Sequence, residues 1–124
     1  MIKQPKNITY IRQYINENSR SACAIVRNRV KVLKLMLKHC RGSTRALTWP
    51  VLSLLLKRHG VAMTKNDFQI HVIKWSRACC AFIGSSDLFG YFLIATEKDK
   101  AVMAEFYRRR IKKEQQNLRT LYAS

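Results

Sequence analysis

Five basic side chains follow one another at helical spacing in the first half of the chain. They lie four, three, four and three residues apart, so an α-helix would place them in one row: Arg27, Lys31, Lys34, Lys38 and Arg41. No acidic residue interrupts the row. Like charges four residues apart destabilise a helix by about 0.2–0.5 kcal/mol per pair. An anionic partner would make the row favourable, and a solvated helix face is the alternative explanation.

The net charge of the whole chain indicates the same class of partner. The 124 residues include 24 Lys and Arg against 7 Asp and Glu, which gives a formal charge of +17. Residues 19–45 contain eight of the basic residues and no acidic one, so the charge lies on predicted helices rather than on a detachable tail. Such a charge favours nucleic acid, ahead of an anionic membrane or an acidic protein.

Groups suited to catalysis or metal binding are sparse. Cys23, Cys40 and the adjacent pair Cys79 and Cys80 lack the spacing of a tetrahedral zinc site. We interpret them as buried thiols in a reducing compartment. The three histidines are scattered, and no two acidic residues fall close on one predicted face with a histidine. The sequence therefore predicts a protein that is not an enzyme and that uses no metal or cofactor.

Composition predicts one mainly helical domain. Hydrophobic residues make up 48% of the chain, and there are only 4 Gly and 2 Pro, so long irregular stretches are not expected. The longest apolar runs are far too short to cross a bilayer, and the first residues lack the apolar segment of a secretory signal. We expect a soluble, cytoplasmic protein with no membrane partner.

Hydrophobic spacing predicts three helical segments in the first half of the chain. Residues 1–18 form a polar arm, in which two Tyr and two Ile residues could hold a turn or two of helix on the domain. Ser21–Cys40 has an apolar stripe beside the basic row and predicts a long helix. Thr48 and Pro50 begin the third helix, which is apolar nearly all round and should be well buried.

The stretch from Met63 to Thr96 predicts a helix followed by a β-hairpin. Thr64 is suited to cap a helix over Lys65–Ala78, with Phe68, Val72 and Trp75 on its inward face. The opposite face carries Asn66, Gln69, Ile70, Ile73, Lys74 and Arg77. Two short strands, Ala81–Ile83 and Tyr91–Ile94, flank a turn-rich tip at Gly84–Gly90, in which Gly84 to Asp87 supply turn residues and Gly90 allows close backbone approach. Thr96 then caps a final helix that is apolar on one side.

Three stretches in this order resemble a known family. They read L-T-W-P-V-L-S-L-L-L-K-R-H-G-V, M-T-K-N-D-F-Q-I-H-V-I-K-W and F-I-G-S-S-D-L-F-G-Y-F-L. Together they resemble the first helix, the recognition helix and the wing of small winged helix-turn-helix proteins encoded by phages and prophages. The resemblance covers roughly the central and C-terminal two thirds of the chain. It implies a mainly α fold with a small β-hairpin: a winged helix-turn-helix domain at residues 19–96, an N-terminal arm at 1–18 and a C-terminal amphipathic helix at 97–124.

The resemblance implies binding of double-stranded DNA, in transcriptional or replicative control of a phage or mobile element. The helix positions that would enter the major groove are Thr64, Lys65, Asn66, Gln69, Ile70, Ile73, Lys74 and Arg77. Asn66 and Gln69 could pair with adenine, and Lys65 with guanine or phosphate. The wing would contribute Ser85 and Ser86, and phosphate contacts would come from Thr48, Lys57 and Arg58. The basic row and Arg45 complete the predicted DNA-binding set.

Other partners stay open. Ile70 and Ile73 at outward positions could contact thymine methyl groups or a host protein, in which case the chain would be an inhibitor or adaptor. The wing has Asp87 and no basic residue, so it should read the minor groove poorly. The basic row at 27–41 could instead bind RNA. The C-terminal helix could support a homodimer, with completion of the domain's own core as the alternative.

Overall fold

The computed structural model describes residues 6–79, 81–86 and 90–124. It confirms a mainly helical chain with one small β-hairpin. The elements in chain order are helix α1 (Lys6–Asn18), α2 (Ala24–His39), a 3₁₀ turn (Ser43–Arg45), α3 (Trp49–Arg58), α4 (Lys65–Phe68), a π-helical segment (Gln69–Lys74), α5 (Trp75–Cys79), strands β1 (Ile83–Ser86) and β2 (Gly90–Leu93), and α6 (Glu97–Ala123). Residues 65–79 run on as one continuous helix, which we call the central helix.

The hairpin begins and ends at other residues than the spacing predicted. β1 pairs antiparallel with β2 from Ile83 opposite Leu93 to Ser86 opposite Gly90. The prediction that Gly84 begins the turn is therefore wrong, because residues 84–86 belong to the strand. A Cβ at Gly84 would overlap the ring of Phe92, so this glycine makes room for a cross-strand aromatic ring. Asp87 and the rest of the predicted tip up to residue 89 lie outside the described residues.

β2 is flanked on its other edge by the chain between α2 and α3. The backbones of Leu47 and Tyr91 exchange two hydrogen bonds, at 2.8 and 3.0 Å. Leu93 donates to the carbonyl of Cys40 at 2.8 Å and accepts from Gly42 at 2.9 Å. Gly90 has a φ of 88°, and a Cβ there would collide with the Leu47 carbonyl. The predicted close backbone approach at Gly90 is confirmed.

α1 is a full helix packed into the core rather than one or two turns. Ile8, Ile11 and Ile15 are buried. The side chain of Asn7 extends the sheet at its base: its amide nitrogen donates to the carbonyls of Phe82 (2.8 Å) and Ile94 (2.9 Å), and its oxygen accepts from the Phe82 amide (2.7 Å). The first helix is thus fixed to the residues that flank the hairpin, Phe82 before β1 and Ile94 after β2.

α3 is less buried than its composition predicted. Leu52 and Leu56 are in the core, but Val51 is 51% exposed and Leu54 is 59% exposed. A helix can bury only those faces for which a neighbouring element exists, and α3 has no neighbour over Val51 and Leu54 among the described residues. Its first turn accommodates Pro50 as expected.

α6 divides into an anchored half and an exposed half. Thr96 and Asp99 form a capping box at its start, and Met103 is buried against Phe92 and Ile94. The predicted apolar stripe continues beyond this point, but residues 107–124 are all exposed. The second half therefore has no cover from the rest of the described chain.

None of the described helices is both long enough and apolar enough to span a bilayer.

Candidate functional site

The first turn of the central helix is built as the sequence predicted. The hydroxyl of Thr64 accepts a hydrogen bond from the backbone N–H of Asp67 at 3.1 Å and so caps the helix. Lys65 and Asn66 follow in the first turn, and both side chains are exposed. The capping bond engages the hydroxyl of Thr64 within the protein, whereas the two residues after it are available to a partner.

The middle of the central helix departs from the predicted faces. Ile73 is only 2% exposed, so its predicted outward position is wrong. The cause is the π-helical segment from Gln69 to Lys74, in which each hydrogen-bonded ring takes in one residue more than in an α-helix. The inward series becomes Phe68, Val72, Ile73 and Ser76, and Trp75 is only half-buried.

One face of the central helix remains exposed along its whole length. After Lys65, the exposed positions are Asn66, Ile70, Lys74 and Arg77, which are four, four and three residues apart. The face offers an amide that can donate and accept, an apolar side chain that is 44% exposed, and three cations. This is the chemistry that reads base edges and binds phosphate in a groove of DNA.

Gln69 points toward the hairpin rather than away from the protein. Its amide nitrogen donates to the Tyr91 hydroxyl at 2.6 Å, and the side chain is half-buried. The Tyr91 ring meets that of Phe68 edge-on at a centroid distance of 4.9 Å. The predicted base contact by Gln69 would have to compete with this bond, so its observed role is to connect the central helix to β2.

Arg29 was not among the predicted site residues, although it holds the π-helical segment. Its Nε donates to the His71 carbonyl at 2.6 Å, and its Nη1 donates to the Tyr14 hydroxyl at 3.0 Å. The guanidinium also lies 4.7 Å from the centre of the Trp75 ring. The only sequence signal was its place two residues beyond Arg27, off the basic row and toward the apolar stripe.

The basic row is exposed as predicted. Arg27, Lys31, Lys34 and Lys38 are exposed on α2, whereas Arg41 is exposed beyond the end of that helix at His39, so the predicted helical row includes only the first four. Arg27 turns back to donate to the carbonyls of Ser21 and Ala22, at 3.1 and 2.6 Å. Within the described part of the chain, the ion pairs all lie on α6, so no carboxylate of those residues neutralises the row.

The remaining predicted contacts are spread over three elements. Thr48 is exposed at the start of α3, Lys57 and Arg58 are exposed at its end, and Arg45 is exposed in the 3₁₀ turn. Ser85 is half-buried within β1, and Ser86 ends that strand. The two serines are thus strand residues and not turn residues.

The cysteines differ from one another in environment. Cys40 is buried, as expected, and burial raises the pKa of its thiol to about 12. Cys23 is exposed where α2 begins, which contradicts the expectation of burial. Hydrogen bonds from the backbone of Val26 and Ile25 lower the pKa of the Cys23 thiol. Cys79 is half-buried, and Cys80 lies outside the described residues.

Among the described residues, exposed cations thus lie on one face of the central helix, at the end of α3, and along α2 with Arg41 just beyond it. They bring no three His, Cys, Asp or Glu side chains into a cluster that could hold a metal ion. Comparison of the chain with protein-family models, with curated proteins and with solved structures finds no match.

Proposed function

We propose that this chain is a winged helix-turn-helix protein that binds double-stranded DNA through the central helix. The order of elements supports this proposal. α3, a short connection and the central helix would form the helix-turn-helix, and β1 and β2 would form the wing. The isolated bridge between Leu47 and Tyr91 would take the place of the short strand that precedes the helix-turn-helix in a winged domain.

The observation that carries the proposal is the exposed face of the central helix. Lys65 and Asn66 lie in its first turn, the part of a recognition helix that reaches base edges. Asn66 would pair with adenine and Lys65 with guanine or phosphate. Ile70 would contact a thymine methyl group, and Lys74 and Arg77 would bind phosphate further along the groove.

The basic row supports affinity rather than specificity. Its five cations and those at the end of α3 would bind phosphate oxygens and displace counterions, so binding should weaken steeply as salt rises. A homodimer through α6 would present two central helices to a palindromic site. The process served would be transcriptional or replicative control in a phage or mobile element.

The test is selection from a random duplex library, followed by affinity measurements on the selected site. Asn66→Ala should weaken binding to that site roughly tenfold to a hundredfold and relax the preference at one position, because a bidentate base contact contributes about 1–3 kcal/mol of discrimination. Binding to unrelated duplex should stay nearly unchanged. Lys65→Ala should also weaken binding to the selected site, and Lys112→Ala, which removes a cation from the exposed half of α6, is its control.

Two outcomes would contradict the proposal. One is a selected site whose affinity survives the double variant Lys65→Ala with Asn66→Ala. The other is a preference for RNA over duplex DNA at every salt concentration, since the basic row could bind either.

The exposed apolar residues of α3 favour a second candidate function, binding of a host protein. Val51 and Leu54 lie on one face of α3 and lack cover among the described residues. If the chain binds a host protein through α3, the affinity of that complex should not depend on salt, and Leu54→Asp should abolish it. The same variant should leave the affinity for DNA unchanged. Measuring both affinities with Leu54→Asp therefore distinguishes the two functions.

A further inference from the structure

The exposed half of α6 carries a seam of the kind found in coiled coils. Its members are four, three, four and three residues apart: Tyr107, Ile111, Glu114, Leu118 and Leu121. Four of the five are large apolar or aromatic side chains, and all five are exposed. The spacing is that of alternating a and d positions of a heptad, with Ile111 and Leu118 at a. The anchored first half supplies the costly helical nucleus, so the second half can extend into solvent.

We propose that this seam pairs with the same seam of a second copy, and that the two α6 helices run antiparallel. The inference deepens the homodimer named within the proposed function, because it gives the residues and the orientation of the contact. It concerns self-association alone and is measured without DNA.

The distribution of charge along α6 decides the orientation. Residues 108–113 contain five cations, whereas residues 114–124 contain one carboxylate, Glu114, and one cation, Arg119. A parallel pair would bring the two cationic segments side by side. An antiparallel pair centred near residue 116 offsets them by about 17 Å along the axis, from a rise of 1.5 Å per residue. This offset exceeds the screening length of about 8 Å at physiological salt.

Glu114 favours the same orientation. In a parallel pair each Glu114 would face the partner's Glu114 inside the seam, where two carboxylates repel. In the antiparallel pair, Ile111 faces the partner's Leu121, and Glu114 faces the partner's Leu118. The dipoles of the two helices are then opposed as well, which is favourable.

The position beside the seam gives a test of orientation. Gln115 lies opposite the partner's Gln115 in the antiparallel pair, but beside the partner's Arg110 in a parallel one. A carboxylate at 115 would therefore repel its own copy in the first arrangement and form an ion pair in the second. Gln116 lies on the outer side of the helix and is the matched control.

The experiment is analytical ultracentrifugation of the full chain over a range of concentrations, without DNA. The wild type should show a reversible monomer–dimer equilibrium. Leu118→Asp should weaken it about tenfold or more, since a charge would enter the seam, and Gln116→Asp should leave it unchanged. Circular dichroism should show both variants folded, because each changed residue is exposed.

Gln115→Glu should weaken the dimer roughly twofold to fivefold relative to Gln116→Glu, the range for exposed charge pairs. A stronger dimer with Gln115→Glu would overturn the antiparallel arrangement. A wild type that stays monomeric at every concentration, or a dimer that is indifferent to Leu118→Asp, would overturn the seam. Lys65→Ala should not alter the dimer, so loss of DNA binding and loss of pairing are told apart.

Discussion

Asp99 is the residue whose replacement should destabilise the fold most among the acidic side chains that the structure describes. It is 3% exposed and joins two parts of the chain. Its Oδ1 accepts from the backbone N–H and the hydroxyl of Ser43, at 2.9 and 2.7 Å. Its Oδ2 accepts from the backbone N–H groups of Ala95 and Thr96, at 2.9 and 3.1 Å. The carboxylate therefore fixes the start of α6 to the loop between α2 and α3.

The cost of Asp99→Asn follows from these four bonds. An amide can keep the bonds from Ala95 and Thr96 at its oxygen, and its nitrogen can donate to the Ser43 hydroxyl, but that nitrogen then faces the backbone N–H of Ser43. Losing this one bond to a charged acceptor should cost about 1.5–3 kcal/mol, and the other three bonds weaken when the acceptor becomes neutral, so the total should be about 3 kcal/mol. With an unfolding entropy of about 2.1 cal/mol/K per residue, 3 kcal/mol lowers the Tm of this chain by roughly 11 °C.

The pH dependence of the Tm is an independent test of the role of the Asp99 carboxylate. Burial raises the pKa of Asp99, but the bonds from the Ser43 backbone, Ala95, the Ser43 side chain and Thr96 outweigh it and leave the pKa below its ordinary value. A lowered folded-state pKa stabilises the fold above the unfolded-state pKa of about 3.9. This stabilisation is lost as the pH falls through the folded-state pKa. The difference in Tm between wild type and Asp99→Asn should therefore be full at pH 7 and shrink in acid.

The assay is thermal unfolding followed by circular dichroism from pH 7 down to pH 2. Glu97→Gln is the matched control, because it removes a carboxylate from the same helical turn. The Glu97 side chain is 88% exposed and pairs with Lys100. It should change the Tm several-fold less than Asp99→Asn. Equal effects of the two variants at pH 7, or a Tm difference that does not shrink in acid, would refute the reasoning.

Two further predictions concern packing around the central helix and the hairpin. Gly90→Ala should lower the free energy of unfolding far more than Gly60→Ala. Both glycines have a positive φ, but an added Cβ would meet the Leu47 backbone at Gly90 and open space at Gly60. Chemical denaturation measures both free energies, and similar losses would contradict the close approach at Gly90. Phe68→Ala should cost about 3–5 kcal/mol, because the ring is fully buried against those of Trp49 and Tyr91. Ile70→Ala on the exposed face of the central helix should cost much less. Chemical denaturation gives both values, and a comparable loss at Ile70 would mean that this face is covered.

The fold could be predicted from the sequence wherever local chemistry decides. Thr64 and Thr96 cap their helices as expected, since an N-cap depends only on residues within one turn. The close approach at Gly90 was also predictable, because glycine in a strand commonly marks such contact. The ends of the strands could not be predicted, because the place of Gly84 within β1 depends on the Phe92 ring across the sheet. Val51 and Leu54 were predicted buried because composition does not reveal which neighbours a helix has.

The sequence predicted which helix carries the candidate site, but not every residue on its exposed face. The exposed positions of Asn66, Ile70, Lys74 and Arg77 follow from ordinary helical spacing. The burial of Ile73 depends on a π-helical segment, which has no simple sequence pattern. The roles of Arg29 and Gln69 depend on partners 42 and 22 residues away along the chain, so spacing could not find them.

The contacts that escaped prediction are those that orient the exposed face. Gln69 connects the central helix to β2, and Arg29 connects it to α2 through the His71 carbonyl. Because Arg29 lies on α2 with four of the five cations of the basic row, its contacts hold those four and the exposed face in a fixed relation. On the proposed function, phosphate contacts by the row would then set where Lys65 and Asn66 enter the groove. The residues that provide affinity and those that provide specificity would then be held in a fixed geometry, although they lie on different helices.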